Sequence, residues 1–91
     1  MGIKRYHLLI SGRVQGVSYR MSAWEKAQQL NLTGWVRNLS DGRVEMMIEG
    51  NTASLDQMID WAGHGPRFAD VTHIDITEQN HTGEFADFDI Q

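Results

Sequence analysis

Ser11-Gly12-Arg13-Val14-Gln15-Gly16-Val17-Ser18-Tyr19-Arg20 joins two unlike segments, an apolar run ending at Ile10 and a run of helix formers starting at Met21. The first, Arg5 to Ile10, alternates: Tyr6, Leu8 and Ile10 fall to one side and His7 and Leu9 to the other, the period of a strand. The second holds Ala23, Glu25, Lys26, Ala27, Gln28, Gln29 and Leu30 and predicts a helix over 21–31. Trp24, Ala27 and Leu30 share one side of it, the spacing of a core stripe. A strand that passes through a glycine loop into a helix leaves the helix's free N–H groups, with roughly half a positive charge, beside the loop. Gly12 and Gly16 allow a tight turn and a close approach of backbone amides to a ligand. Arg20, at the junction, adds a planar donor fork suited to phosphate oxygens. Residues 11–20 thus read as an anion cradle, the plain alternative being a surface turn with an exposed arginine paired to Glu25. A nucleotide P-loop is not matched, because Gly16-Val17-Ser18 stands where Gly-Lys-Ser/Thr is required, and the dinucleotide fingerprint lacks a third glycine.

Downstream, Thr33-Gly34-Trp35-Val36-Arg37-Asn38 is a short strand, and Leu39-Ser40-Asp41-Gly42 a hairpin turn marked by Asp-Gly. Arg43 to Glu49 alternates again, Val44, Met46 and Ile48 inward and Glu45, Met47 and Glu49 outward. Asn51 is an N-cap for a second helix, whose Leu55, Met58, Ile59 and Ala62 form a core stripe. Gly63-His64-Gly65-Pro66 stops that helix. Asp70 to Thr77 is a fourth strand with Ile74 and Ile76 on one face, Asn80 to Gly83 a turn, and Phe85, Phe88 and Ile90 mark a short closing strand. The order is βαββαβ plus a short C-terminal strand. Two helices of this length cover one face of such a sheet, so the expected fold is α+β, a mostly antiparallel ferredoxin-like split βαβ sandwich.

Ninety-one residues, 41% hydrophobic and 22% charged with one proline, suit a single domain over 1–91. No apolar run is long enough to span a bilayer and no signal peptide is visible at the start; with no cysteine, a cytoplasmic chain is expected. Charge is uneven: +5 over residues 1–43 and −9 over 44–91. The net −4 argues against a nucleic-acid partner, while the basic half either steers a small anion or is cancelled by interleaving in the fold. His7, His64, His73 and His81 lack metal-ligand spacing, Ser18 has no identifiable base, and neither a metal nor another cofactor is expected.

Three pieces together, Gly12-Arg13-Val14-Gln15-Gly16-Val17-x-Tyr19-Arg20, Thr33-Gly34-Trp35-Val36-Arg37-Asn38 and Asp41-Gly42-Arg43-Val44-Glu45, resemble the acylphosphatases. Glu49-Gly50, Gly65-Pro66 and Phe88-x-Ile90 extend the resemblance over essentially the whole chain. It implies hydrolysis of small acyl phosphates to a carboxylate and inorganic phosphate, with Arg20 and Asn38, the last residues of the first two motifs, as the catalytic pair. Ser18 departs from the aromatic residue that relatives often carry there. The residues suit this chemistry. Phosphoryl transfer to water with a carboxylate leaving group needs positioning and charge neutralisation rather than a strong acid or a covalent nucleophile. Gln15, Gly16, Val17, Ser18, Tyr19 and Arg20 form the substrate-binding set, and inorganic phosphate or sulfate is the expected site ligand. Asn38, with one acceptor and two donors, orients the water, the other reading of its position being a turn cap.

Two other functions fit the same outline. RNA-recognition domains share the sandwich, but the acidic total and the lack of an aromatic-rich central strand pair weigh against one. A sensor would bind the phosphate without turnover, which a hydrolysis assay separates. A monomer is the expected state.

Overall fold

In a computed structural model that describes residues 2–91, the first alternating run extends at both ends to give β1, Ile3–Arg13. Met1, the first residue of the expected domain, lies outside the described residues. The chain continues through α1 (Tyr19–Gln29), β2 (Thr33–Asn38), β3 (Val44–Asn51), α2 (Thr52–Ala62), β4 (Asp70–Gln79) and β5 (Phe88–Ile90). The strands form one sheet in the order β4-β1-β3-β2-β5, antiparallel except for the parallel β2–β5 pair. Both helices pack on one face, which makes the expected ferredoxin-like sandwich. Among the described residues no helix is long and apolar enough to cross a membrane.

Register explains the core. Tyr6, Leu8 and Ile10 stand opposite Ile48, Met46 and Val44, so the period-2 pattern of both strands delivers its apolar side to the same face. There they meet Tyr19, Ala23 and Ala27 of α1 and Leu55, Met58 and Ala62 of α2. The Asn51 side chain caps α2 by accepting from the Ser54 amide at 2.9 Å.

Two side chains depart from expectation. Trp24 is exposed, because the buried stripe of α1 runs through Tyr19, Ala23 and Ala27, four apart, with Leu30 packed at its end. Small alanines let the helix lie close to the sheet, and Trp24, one position round, is left on the flank. Glu49 points away from the helices as its alternation demands, yet is only 4% exposed.

The cause is the segment 80–87. It leaves β4 at one edge of the sheet and must reach β5 at the other, so it crosses the open face. Arg5, opposite Glu49 in the β1–β3 ladder, clamps it. The guanidinium donates to Glu49 Oε1 (2.9 Å), Thr82 Oγ1 (2.7 Å) and Glu84 Oε1 (2.9 Å), and lies 4.5 Å from the centre of the Phe85 ring. Glu49 in turn accepts from the amides of Thr82 and Gly83. Phe85 therefore belongs to this crossing segment, and β5 begins only at Phe88.

The charge asymmetry dissolves in the same way. β1, from the basic half, sits between β3 and β4 of the acidic half, giving the pairs Arg5–Glu49, Arg5–Glu84 and Lys4–Glu78. Arg37 of β2 pairs with Glu45 of β3.

Candidate active site

β1 is bent before it reaches the loop. Its pairing with β4 shifts register between Ser11 and Gly12. Gly12 has φ +121°, and a Cβ there would stand 2.1 Å from the Asp70 carbonyl oxygen. Only glycine allows this approach. After the bulge the chain drops Val14 and Val17 into the core and turns through Gly16, φ +75°.

Ser18 is the N-cap of α1, in the left-handed conformation (φ 63°, ψ 26°), and its hydroxyl makes no capping bond. The first intrahelical hydrogen bond runs from the Ser22 amide to the Ser18 carbonyl. Among the described residues no carbonyl or side chain accepts a hydrogen bond from the amides of residues 15 to 21. Tyr19 anchors the helix start: its hydroxyl donates to the Ala62 carbonyl at 2.8 Å, and burial pushes the phenol well above its usual range.

Between this loop, the end of β2 and the end of β5 lies a cavity of about 210 Å³. Gly16, Ser18, Tyr19 and Arg20 line it from one side, Asn38 from another, and Val14, Met21 and Ile90 supply its apolar walls. The Arg20 guanidinium is held by the Gln91 carbonyl, which accepts from Nη1 at 2.8 Å, and among the described residues it makes no ion pair with Glu25. One bond of this kind leaves the other N–H donors of the fork for a ligand.

Of the eight residues around the cavity, five belong to the set expected from the sequence. Gln15 and Val17 do not line it. Val17 is a core residue, and Gln15 Nε2 donates to the carbonyls of Leu39 (2.7 Å) and Arg43 (2.9 Å) in the β2–β3 turn. Those two contribute backbone, not side chains, to the loop. The other three lining residues, Val14, Met21 and Ile90, have apolar side chains that carry no chemical signature in the sequence. The Gln91 carbonyl was equally silent, being a backbone atom that only the β2–β5 pairing brings to Arg20.

The histidines are dispersed. His7 bonds to Glu45 on the open sheet face, His64 to the Asp60 carbonyl, and His73 to Asp75. Among the described residues no three His, Cys, Asp or Glu side chains gather as a set able to hold a metal ion.

A helix start with free amides, a permanent cation and a carboxamide lining one cavity can bind a tetrahedral oxyanion and steer a nucleophile to it. The acylphosphatase family model matches residues 6–90. An acylphosphatase from Methylococcus capsulatus is 55% identical over 86 residues, covering 94% of each chain. The crystal structure of acylphosphatase from Bacillus subtilis superposes with a TM-score of 0.93 at 35% identity, over 97% of this chain and 98% of that one. The structure of an acylphosphatase from Coxiella burnetii does so with a TM-score of 0.92 at 37% identity, over 98% and 93%. Matched by the family model over nearly its whole length and similar to these proteins in sequence and fold, the chain belongs to the acylphosphatase family and is a hydrolase of acyl phosphates.

Proposed function

We propose that the backbone amides of residues 15–20, with the Arg20 guanidinium, grip the phosphoryl group of a small acyl phosphate while Asn38 aims the attacking water. The observation that supports this reading is the shared cavity, which Arg20, the helix start with its free amides, and Asn38 all line. The amides and the guanidinium neutralise the phosphoryl oxygens as charge redistributes. Asn38 donates and accepts, and so holds a water in line with the leaving oxygen. Water oxygen bonds to phosphorus, the phosphorus–acyl oxygen bond breaks, and the carboxylate departs with the bonding pair. Asn38 is too weak a base to keep the proton, which passes to a phosphoryl oxygen. Because a carboxylate is a stabilised leaving group, the step needs no metal or other cofactor. Inorganic phosphate is then both product and competing ligand, with sulfate its mimic. We place the enzyme in the cytoplasm as a monomer, in keeping with a chain that has no cysteine.

The test is release of phosphate from acetyl or benzoyl phosphate in the presence of a chelator. Wild type is expected to turn over. Asn38→Ala should lose about 3 kcal/mol of transition-state stabilisation, roughly two orders of magnitude in kcat, and Arg20→Ala should lose both kcat and phosphate binding. Full activity in both variants would refute these roles.

A further inference from the structure

We infer that Gln15 is a positioning residue, whose carboxamide locks the β2–β3 turn against the cradle loop and so fixes Asn38 across the cavity from Arg20. The inference rests on the water-orienting reading of Asn38. Its basis is the pair of bonds from Gln15 Nε2 to the carbonyls of Leu39 at 2.7 Å and Arg43 at 2.9 Å. Both acceptors are carbonyl oxygens, so only the NH₂ end of the side chain can face them.

Those same carbonyls close the hairpin. The Leu39 amide donates to the Arg43 carbonyl at 2.8 Å and the Gly42 amide to the Leu39 carbonyl at 3.2 Å. Gln15 thus inserts at the two points where the turn is pinned. Asn38 is bonded directly to Leu39 and, opposite Val44, forms the last rung of the β2–β3 ladder.

The β1–β3 ladder ends at Ile10 opposite Val44, after which β1 pairs with β4 alone. Beyond that rung the cradle loop and the hairpin tip are separate projections from the sheet. Among the described residues, the two bonds of Gln15 are the hydrogen bonds that join residues 14–18 to residues 38–43. In-line attack needs the water held to a fraction of an ångström relative to the phosphorus, and a displacement of about 1 Å can cost on the order of a hundredfold in rate. A side chain tying the water's holder to the phosphate's holder acts directly on that distance.

The experiment compares wild type, Gln15→Met, Asn38→Ala and the double variant, with benzoyl phosphate as substrate and inorganic phosphate as inhibitor. Methionine keeps the length of the side chain and removes both donors. Gln15→Met should lower kcat about tenfold while KM and the phosphate inhibition constant move by less than about twofold. In the Asn38→Ala background the same change should cost less than about twofold, because its effect runs through the missing carboxamide. The side-chain amide signal of Asn38 in a ¹⁵N–¹H spectrum should shift or broaden in Gln15→Met, a readout that remains when the double variant is too slow to measure. Gln15→Glu, which also lacks donors, should reproduce the loss if the methionine variant folds poorly.

A raised KM and weakened phosphate inhibition at unchanged kcat would mean that Gln15 touches substrate. Multiplying losses would mean that it acts apart from Asn38. Either result overturns the inference, as does wild-type kcat with an unmoved Asn38 signal. Wild-type activity in Asn38→Ala would instead remove the reading beneath it.

Discussion

Arg20 has five N–H donors and directs one of them at the Gln91 carbonyl, an arrangement that depends on the fork being planar and rigid. Lysine would keep the charge but lose the fork, so it cannot grip a backbone carbonyl and several phosphoryl oxygens with fixed geometry. Arg20→Lys is therefore expected to weaken inorganic phosphate inhibition about tenfold, about 1.4 kcal/mol, with a matching rise in KM. An unchanged inhibition constant would show that charge alone matters. Ser18 presents the opposite case, a residue defined by its backbone. At φ 63° it occupies a region that β-branched side chains enter only with strain. Ser18→Val should cost about 1–2 kcal/mol in urea unfolding and lower kcat/KM by disturbing the amides around it, whereas Ser18→Gly should leave the fold intact. Equal stability of the valine variant would contradict the backbone assigned here.

The crossing segment 80–87 is the element whose anchoring the sequence kept hidden. Arg5 and Glu49 are 44 positions apart, and only the β1–β3 register sets them face to face. Read as alternation, Glu49 is an ordinary outward residue; nothing local says that a later loop will cover it. Burial pushes its carboxyl up, but the Arg5 guanidinium and the amides of Thr82 and Gly83 outweigh that, so it sits below the usual carboxylate range. A depressed folded-state pKa means that the stabilisation is complete above the unfolded value, near 4.3, and disappears as pH falls through the lower folded value. Glu49→Gln should lose about 3 kcal/mol at neutral pH, the scale for breaking a buried pair, and should then show a flatter fall in stability below about pH 4.5 than wild type. Parallel stability–pH curves for the two proteins would refute the coupling. Trp24 belongs to the same scale. A stripe of Trp24, Ala27 and Leu30 is as regular in sequence as one of Tyr19, Ala23 and Ala27, and which is buried depends on how closely the helix approaches the sheet. The glycine loop and Arg20 read locally as an anion cradle, whereas Asn38 read by spacing alone as a turn cap and was singled out only by the family resemblance; the Gln15 bridge was legible in neither way, since its partners are carbonyls on another element.

The molecule as a whole is a sheet with two edges, and its association state follows from how those edges are finished. β5 is three residues long and pairs with β2 in parallel, too short to template another strand. β4 is ten residues long and exposed, but Asp70, His73, Asp75 and Glu78 lie along it, and two copies meeting there would bring carboxylates together. The large apolar side chains left in solvent, Ile3, Met21, Trp24, Phe68, Ile76 and Ile90, are spread over β1, α1, the α2–β4 connection, β4 and β5. Met21 and Ile90 both line the wall of the cavity and Met21 and Trp24 share a side of α1, while Ile3, Phe68 and Ile76 lie on separate segments. The net −4 adds a weak mutual repulsion. Sedimentation at high protein concentration should accordingly give one species of 10.4 kDa. If carboxylate repulsion guards β4, Asp75→Val together with Glu78→Val should produce a concentration-dependent species of twice that mass already at low salt, and its formation should depend less on salt than any association of wild type, whose repulsion salt screens. A wild-type dimer, or a double variant that remains monomeric at the same concentration, would show that the edge is controlled by something other than its charges.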